Sequence, residues 1–167
     1  ILHKERKYEQ SSKNLQLANK KKLDLKISNA DTLINKSQAL LIKSDEKEIR
    51  HKLQTKSPQS IFIVGMPRSG STLVESILSI NSNVDDLGEI NLLEESYFEW
   101  NQDVQGLTLA EVYFKKLRNQ RNEFKITTNK WLYNYQYAGI IAQQIPNAKI
   151  IHCYRNPLDN LLSIYRT

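Results

Sequence analysis

The chain has 167 residues, 40% hydrophobic and 25% charged, with a formal net charge of +6. That size suits one domain, or a domain with an appendage, and the balance excludes a low-complexity or disordered chain. No apolar run approaches the ~18 residues of a membrane span. The lone Cys153 excludes an intrachain disulfide and fits a reducing compartment, so a cytoplasmic location is expected.

The basic excess is local. Residues 1–56 hold 14 Lys+Arg against 7 Asp+Glu, whereas residues 57–167 hold 10 against 11. The lysines lack interleaved aromatics and form no long block, so a solvated helical surface explains them better than a nucleic-acid face. Residues 1–56 are expected to be helical. Tyr8, Leu15 and Ala18 can share one face, and Leu33, Ile34, Leu40 and Leu41 follow an amphipathic spacing. Between them, "SNAD" (28–31) reads as a break with Asp31 as N-cap.

"TKSPQS" (55–60) is a linker by composition, and after it the pattern changes. "IFIV" (61–64) is wholly apolar, as a buried parallel strand should be. A helix over 71–80 follows, with Leu73, Val74, Ile77 and Leu78 apolar. "VDDL" (84–87) is a second strand, then come helices over about 89–99 and 108–118, and a strand at "FKITT" (124–128). Tyr133, Tyr137, Ile140 and Ile141 give a helix over 133–144. "AKIIHCY" (148–154) is a core strand, in which His152 and Cys153 are packing residues. Pro157 opens a last helix with Leu158, Leu161, Leu162 and Tyr165 on one stripe. Strands alternating with helices predict an α/β fold, an open and mostly parallel sheet flanked by helices, preceded by an all-helical segment. The chain begins at Ile1 and stops inside this helix, so it reads as a piece of a longer protein.

In open α/β sheets, ligands bind beyond the carboxyl ends of the strands. Each strand here delivers polar residues to that edge. After "IFIV" comes "GMPRSGST" (65–72), after "VDDL" Gly88 and Glu89, after "FKITT" Asn129 and Lys130, and after "AKIIHCY" Arg155. The loop 65–72 is close to the nucleotide pattern G-x-x-x-x-G-K-[ST], with Ser71 in place of the lysine and Arg68 inside it. A strand, a glycine turn and a helix start point backbone N–H groups at an anion. Arg68 adds a charge-assisted contact, and Ser71 and Thr72 add hydroxyls. The lysine of ATP enzymes serves highly charged phosphates and magnesium, so its absence suits a less charged terminal group. In "YRNPLDNLLSIYR" (154–166), Asn156 reads as an N-cap, Pro157 as the first helical residue and Asp159 as a first-turn carboxylate. Arg155 has no such structural explanation, and Ser163 lies off the apolar stripe. Glu89 has an alternative as a helix-start carboxylate, Lys130 as a surface lysine, and Trp131, Tyr133 and Tyr135 as packing residues in place of an acceptor groove.

"IFIVGMPRSGSTLVESIL" resembles the 5′-phosphosulfate-binding loop of sulfotransferases, and "IIHCYRNPLDNLLSIYR" resembles their 3′-phosphate-binding segment. The likeness is strongest to bacterial sulfotransferases that follow tetratricopeptide repeats and are similar to protein-tyrosine sulfotransferases. It implies a helical segment 1–56 from the end of such an array plus a connector, and the N-terminal part of a sulfotransferase domain over 57–167. It implies 3′-phosphoadenosine 5′-phosphosulfate (PAPS) as donor, PAP as product and no metal. Arg68, Ser69, Gly70, Ser71 and Thr72 would hold the 5′-phosphosulfate, and Arg155 and Ser163 the 3′-phosphate. Glu89, in "LGEIN", matches the general base, and Lys130, in "TNKW", matches a lysine that steadies the transferring sulfonate. Asn91 stands where the tyrosine enzymes have an arginine, which argues against a peptide tyrosine as acceptor. Trp131-Leu132 stands where many relatives have a proline. The implied partners are a sulfonate acceptor and a protein bound through the helical segment. A P-loop kinase or NTPase with a degenerate loop, and a non-catalytic repeat-type interaction module, are the competing readings.

Overall fold

The computed structural model describes residues 4–46, 58–102, 106–120 and 125–167. The linker's first residues, 55–57, and Phe124 of the expected third strand lie outside the described residues. Two helices come first, α1 (Tyr8–Leu25) and α2 (Ala30–Glu46). The break between them is where "SNAD" predicts it. The cap differs, because the Ser28 hydroxyl accepts from the Ala30 N–H; α2 begins two residues earlier than a cap at Asp31 implies, and Asp31 falls inside its first turn.

The remaining elements are β1 (Gln59–Gly65), α3 (Ser71–Leu78), β2 (Val84–Asp86), α4 (Leu92–Asn101), α5 (Leu109–Gln120), β3 (Ile126–Asn129), a 3-10 helix (Leu132–Tyr137), α6 (Ala138–Gln144), β4 (Lys149–Cys153) and α7 (Pro157–Tyr165). All strand pairs are parallel, in the order β2-β3-β1-β4. The expected α/β sheet is therefore present. The expected helix over 133–144 is a 3-10 turn running into an α-helix, so Tyr133 and Tyr135 stay exposed while Tyr137 is buried.

The sheet's two faces differ. One face carries Phe62 into a core of Leu92, Leu93, Tyr97, Leu109, Tyr113, Leu117, Tyr137 and Ile141. The second helix joins this side through Leu40 and through Lys36, whose ammonium pairs with Glu94 and lies over the Phe98 and Tyr137 rings. Gln136 also donates to the Leu33 carbonyl and the Ser37 hydroxyl. Only part of the expected stripe of α2 is used, because Ile34 and Leu41 face outward.

The opposite face carries α3, and α7 lies against the loop that follows β1; on both helices the fully buried positions are not the apolar ones expected, although Val74 and Leu78 of α3 are half-buried. Leu73 and Ile77 of α3 are exposed, as are Leu158, Leu161, Leu162 and Tyr165 of α7. The buried positions are polar, namely Ser71 and Glu75 on α3 and Asn160 on α7. The third helix is held to the sheet by a hydrogen bond and an ion pair, and α7 is held to the loop by hydrogen bonds, described below. The fourth strand, expected as a core strand with His152 and Cys153 packed, forms one edge of the sheet. Ile150 and His152 are exposed and Ile151 is half-buried; Cys153 is buried, and burial pushes its thiol pKa up. Among the described residues, no helix is long and apolar enough to cross a membrane.

Candidate functional site

The loop between β1 and α3 is shaped by three residues with positive φ. Gly65 has φ 149°, Arg68 68° and Gly70 100°. Gly65 is needed for close approach. A Cβ there would lie 2.4 Å from the Cys153 carbonyl oxygen, where β4 runs beside β1. Gly70 has open space around it and supplies conformational freedom instead. Arg68 holds the left-handed conformation with a full side chain, which costs about 1 kcal/mol and is tolerated where the surroundings fix it.

Those surroundings come from the end of β4 and from α7. The Arg155 Nη1 donates to the Arg68 carbonyl at 3.4 Å, and the Asn160 side-chain amide donates to the Pro67 carbonyl at 2.6 Å. The Arg68 Nε donates to the Ser163 hydroxyl at 3.3 Å. The Ser69 N–H donates to the Met66 carbonyl, which closes the turn. The Ser69 hydroxyl oxygen is buried without a hydrogen-bond partner. The Asn156 side chain caps α7 through the Leu158 and Asp159 N–H groups, as expected, and so aims the helix at the loop. The sequence reading assigns Arg68 to one end of a donor and Arg155 with Ser163 to the other. In the structure all three lie together on the loop's α7 side. Among the described residues, neither Arg68 nor Arg155 has an acidic partner.

A second group sits beyond β2 and β3. Their ladder runs on past the strands, with the Leu87 N–H on the Thr128 carbonyl and the Lys130 N–H on the Gly88 carbonyl, both 2.9 Å. That register sets Glu89 beside Lys130, and the Lys130 ammonium donates to the Glu89 carboxylate at 2.8 Å. The fourth helix begins only at Leu92, so Glu89 is a loop residue and the helix-start explanation for it does not hold. Nor is Lys130 a surface lysine: its side chain is 12% exposed, against 58% for Glu89. Asn129 fixes the loop that follows, since its Oδ1 accepts from the Trp131 N–H and the Asn134 amide while its Nδ2 donates to the Ile90 carbonyl.

Sequence reasoning missed two residues here. Asn160 straps the loop to α7. Glu75 is 5% exposed, accepts from the Thr128 hydroxyl at 3.0 Å, and lies 3.8 Å from the Lys130 ammonium. The available signal was a polar residue inside each apolar helical stretch, "LVESIL" and "LDNLL". The aromatic residues after Lys130 divide. Tyr133 and Tyr135 line an apolar cavity of about 610 Å³ with Val64, Met66, Ile150 and His152. Trp131 packs on Tyr133 with ring centroids 5.5 Å apart.

A model of the sulfotransferase domain family matches residues 58–167, which takes in both groups. The chain belongs to the sulfotransferase domain family. Sulfonyl transfer is the general chemistry of that family. An uncharacterized protein of Aquifex aeolicus (strain VF5) is 32% identical over 130 residues, 66% of this chain and 17% of the relative. The chain thus spans under a fifth of that relative's length. No solved structure matches the chain.

Proposed function

We propose that this sulfotransferase domain serves transfer of a sulfonate from PAPS to an acceptor hydroxyl or amine on a protein, glycan or small molecule. The observation that carries the reading is the position of Arg155. The guanidinium that follows β4 reaches the backbone of the glycine turn that follows β1. The turn and the start of α7 therefore bring together two arginines without an acidic partner among the described residues, a helix start and hydroxyls, which suits a nucleotide with anions at two places.

In this reading, the N–H groups at the start of α3, with Ser69, Gly70, Ser71 and Thr72, hold the 5′-phosphosulfate. Arg68 leaves Ser163 to reach it, and Arg155 with Ser163 holds the 3′-phosphate. Lys130 stabilises charge on the sulfonate and its leaving oxygen in an in-line transfer. Glu89 takes the acceptor proton, an effect worth roughly 10²–10⁴-fold. The sulfur–oxygen bond to the donor breaks as the bond to the acceptor forms, and PAP leaves with the electron pair. No metal is required by these roles, because guanidinium and ammonium groups supply the positive charge.

The helical segment 1–56 is proposed as the tail and connector of a repeat array, with a protein partner on it and the catalytic domain over 57–167. The packing of α2 on the 3-10 helix and α6 supports a connector built into the domain's surface. A cytoplasmic setting without a nucleic-acid partner fits the charge pattern. The test is incubation of the full-length protein with labelled PAPS and a panel of peptide, glycan and phenolic acceptors. Binding of PAP and ADP is measured beside it, with and without magnesium. Label transfer and metal-independent preference for PAP are expected. Magnesium-dependent preference for ADP would instead mark a kinase-type loop.

A further inference from the structure

The loop helix contributes a carboxylate that the roles above leave unused. Glu75 lies one helical turn beyond Ser71, so it is rigidly connected to the phosphosulfate loop. Its side chain is 6% exposed. A carboxylate buried this far needs a compensating charge or several hydrogen bonds. Among the described residues its partners are the Thr128 hydroxyl on β3 and the Lys130 ammonium. Lys130 therefore stands between a buried carboxylate from α3 and an exposed one from the loop after β2. The Glu75 and Glu89 oxygens facing it are no further apart than the sum of their two distances from Nζ, 3.8 Å and 2.8 Å.

We infer that Glu75 is a positioning residue for sulfonate transfer, one that keeps Lys130 in place and shares its charge so that Glu89 can act as base. The inference rests on the sulfotransferase reading. An arriving sulfonate competes with Glu89, the exposed partner, for the ammonium. Glu75 cannot be displaced in the same way, because it is buried and anchored by Thr128. The lysine stays tethered to the helix that carries the donor loop while Glu89 is released toward the acceptor. Glu75 also divides the positive charge seen by Glu89 and adds a like charge near it.

The experiment compares wild-type full-length protein with Glu75→Gln and Thr128→Val. Glu75→Gln keeps the shape and removes the charge. Thr128→Val leaves the carboxylate without its hydroxyl and covers the case in which the first variant fails to fold. Sulfonate transfer from labelled PAPS to the best acceptor of the panel is followed as kcat and KM, and the PAP dissociation constant is measured by calorimetry. In Glu75→Gln, transfer is expected to fall by about tenfold or more. The loss should fall on kcat, with KM for PAPS little changed. Thr128→Val should give a smaller loss of the same kind, and PAP affinity should stay within about twofold in both, since PAP carries no sulfonate. A kcat within about twofold of wild type, or a rate that falls only in step with PAP affinity, would overturn the inference and mark Glu75 as purely structural. Wild-type protein that neither transfers sulfonate nor binds PAP would sink the sulfotransferase reading itself, and this inference with it.

Discussion

Replacing Gly65 by alanine tests whether the loop's place against β4 is fixed by backbone contact. The added Cβ would lie 2.4 Å from the Cys153 carbonyl oxygen and 3.0 Å from the Ser69 hydroxyl oxygen. The first contact is with backbone and cannot be relieved by a rotamer change, so β4 must move away from β1. Gly65 also has φ 149°, a conformation that alanine resists by about 1 kcal/mol. Adding about 1–3 kcal/mol for overpacking gives a loss of about 2–4 kcal/mol. For a domain of this size that is roughly 5–15 °C in Tm. Gly70→Ala is the control, because Gly70 has φ 100° but nothing within 4 Å of its missing Cβ. It should lose only the conformational part, about 1 kcal/mol. Thermal melts of the two variants, with PAP titrations beside them, separate the effects. Gly65→Ala should also weaken PAP binding, since Arg155 follows Cys153 by two residues. Equal losses in the two variants would refute the close-contact argument.

Arg155→Ala should raise the PAP dissociation constant by roughly 10–100-fold, the worth of a hydrogen bond to a charged group. Calorimetry should show ADP, which lacks the 3′-phosphate, changing much less. Thr108 and Glu111 cap α5 reciprocally: the Glu111 carboxylate accepts from the Thr108 N–H at 2.7 Å and from its hydroxyl at 2.9 Å. Thr108→Ala should cost about 1 kcal/mol at neutral pH, measured by denaturant titration. The Thr108 backbone bond, and then its hydroxyl, hold the Glu111 carboxyl below its usual value. Its contribution is therefore present above the unfolded carboxyl value and is lost as pH falls through the lower folded one, and Thr108→Ala should flatten that acid loss. At the other extreme, burial pushes the Tyr113 phenol up to about 12, with Ser60 and Thr127 opposing weakly. Stability from keeping it neutral is complete below about 10 and lost as pH rises toward 12. Tyr113→Phe should blunt alkaline unfolding over that window.

The strands were legible in the sequence from their apolar and β-branched content. "IFIV" and "AKIIHCY" read correctly as strands, and "FKITT" (124–128) does so over its part from Ile126 to Thr128, because such residues fill parallel ladders. The loop was legible because glycine spacing reflects backbone need, and Asn156-Pro157 because a cap and a first helical residue follow simple local rules. The faces of α3 and α7 were not legible. Periodicity locates a stripe but not what it faces, and on these two helices the inward positions are Glu75 and Asn160. Glu89 and Lys130 were each ambiguous when read alone. Their pairing depends on a β2–β3 register that no local pattern encodes. The edge position of β4 was likewise hidden, since strand order is a long-range property.

The hydrogen bonds that hold the loop also explain why it can receive an anion. A tight turn exposes carbonyl oxygens as well as N–H groups, and a carbonyl facing the ligand would repel it. Here the Met66 carbonyl is taken by the Ser69 N–H, the Pro67 carbonyl by Asn160 and the Arg68 carbonyl by Arg155. Three successive carbonyls of the turn are thus engaged from the protein side. The N–H groups at the start of α3 have no intrahelical acceptor, as at any helix start. Sorting donors from acceptors in this way needs α7 on the far side of the loop, which is why Asn156 caps that helix and why Arg155 precedes it directly. Asn160→Leu would keep the volume and free the Pro67 carbonyl to turn toward the ligand. PAP affinity should fall severalfold with a Tm loss of about 1–3 kcal/mol equivalent. A variant that loses stability but binds PAP as tightly as wild type would show that carbonyl sorting contributes nothing to the site.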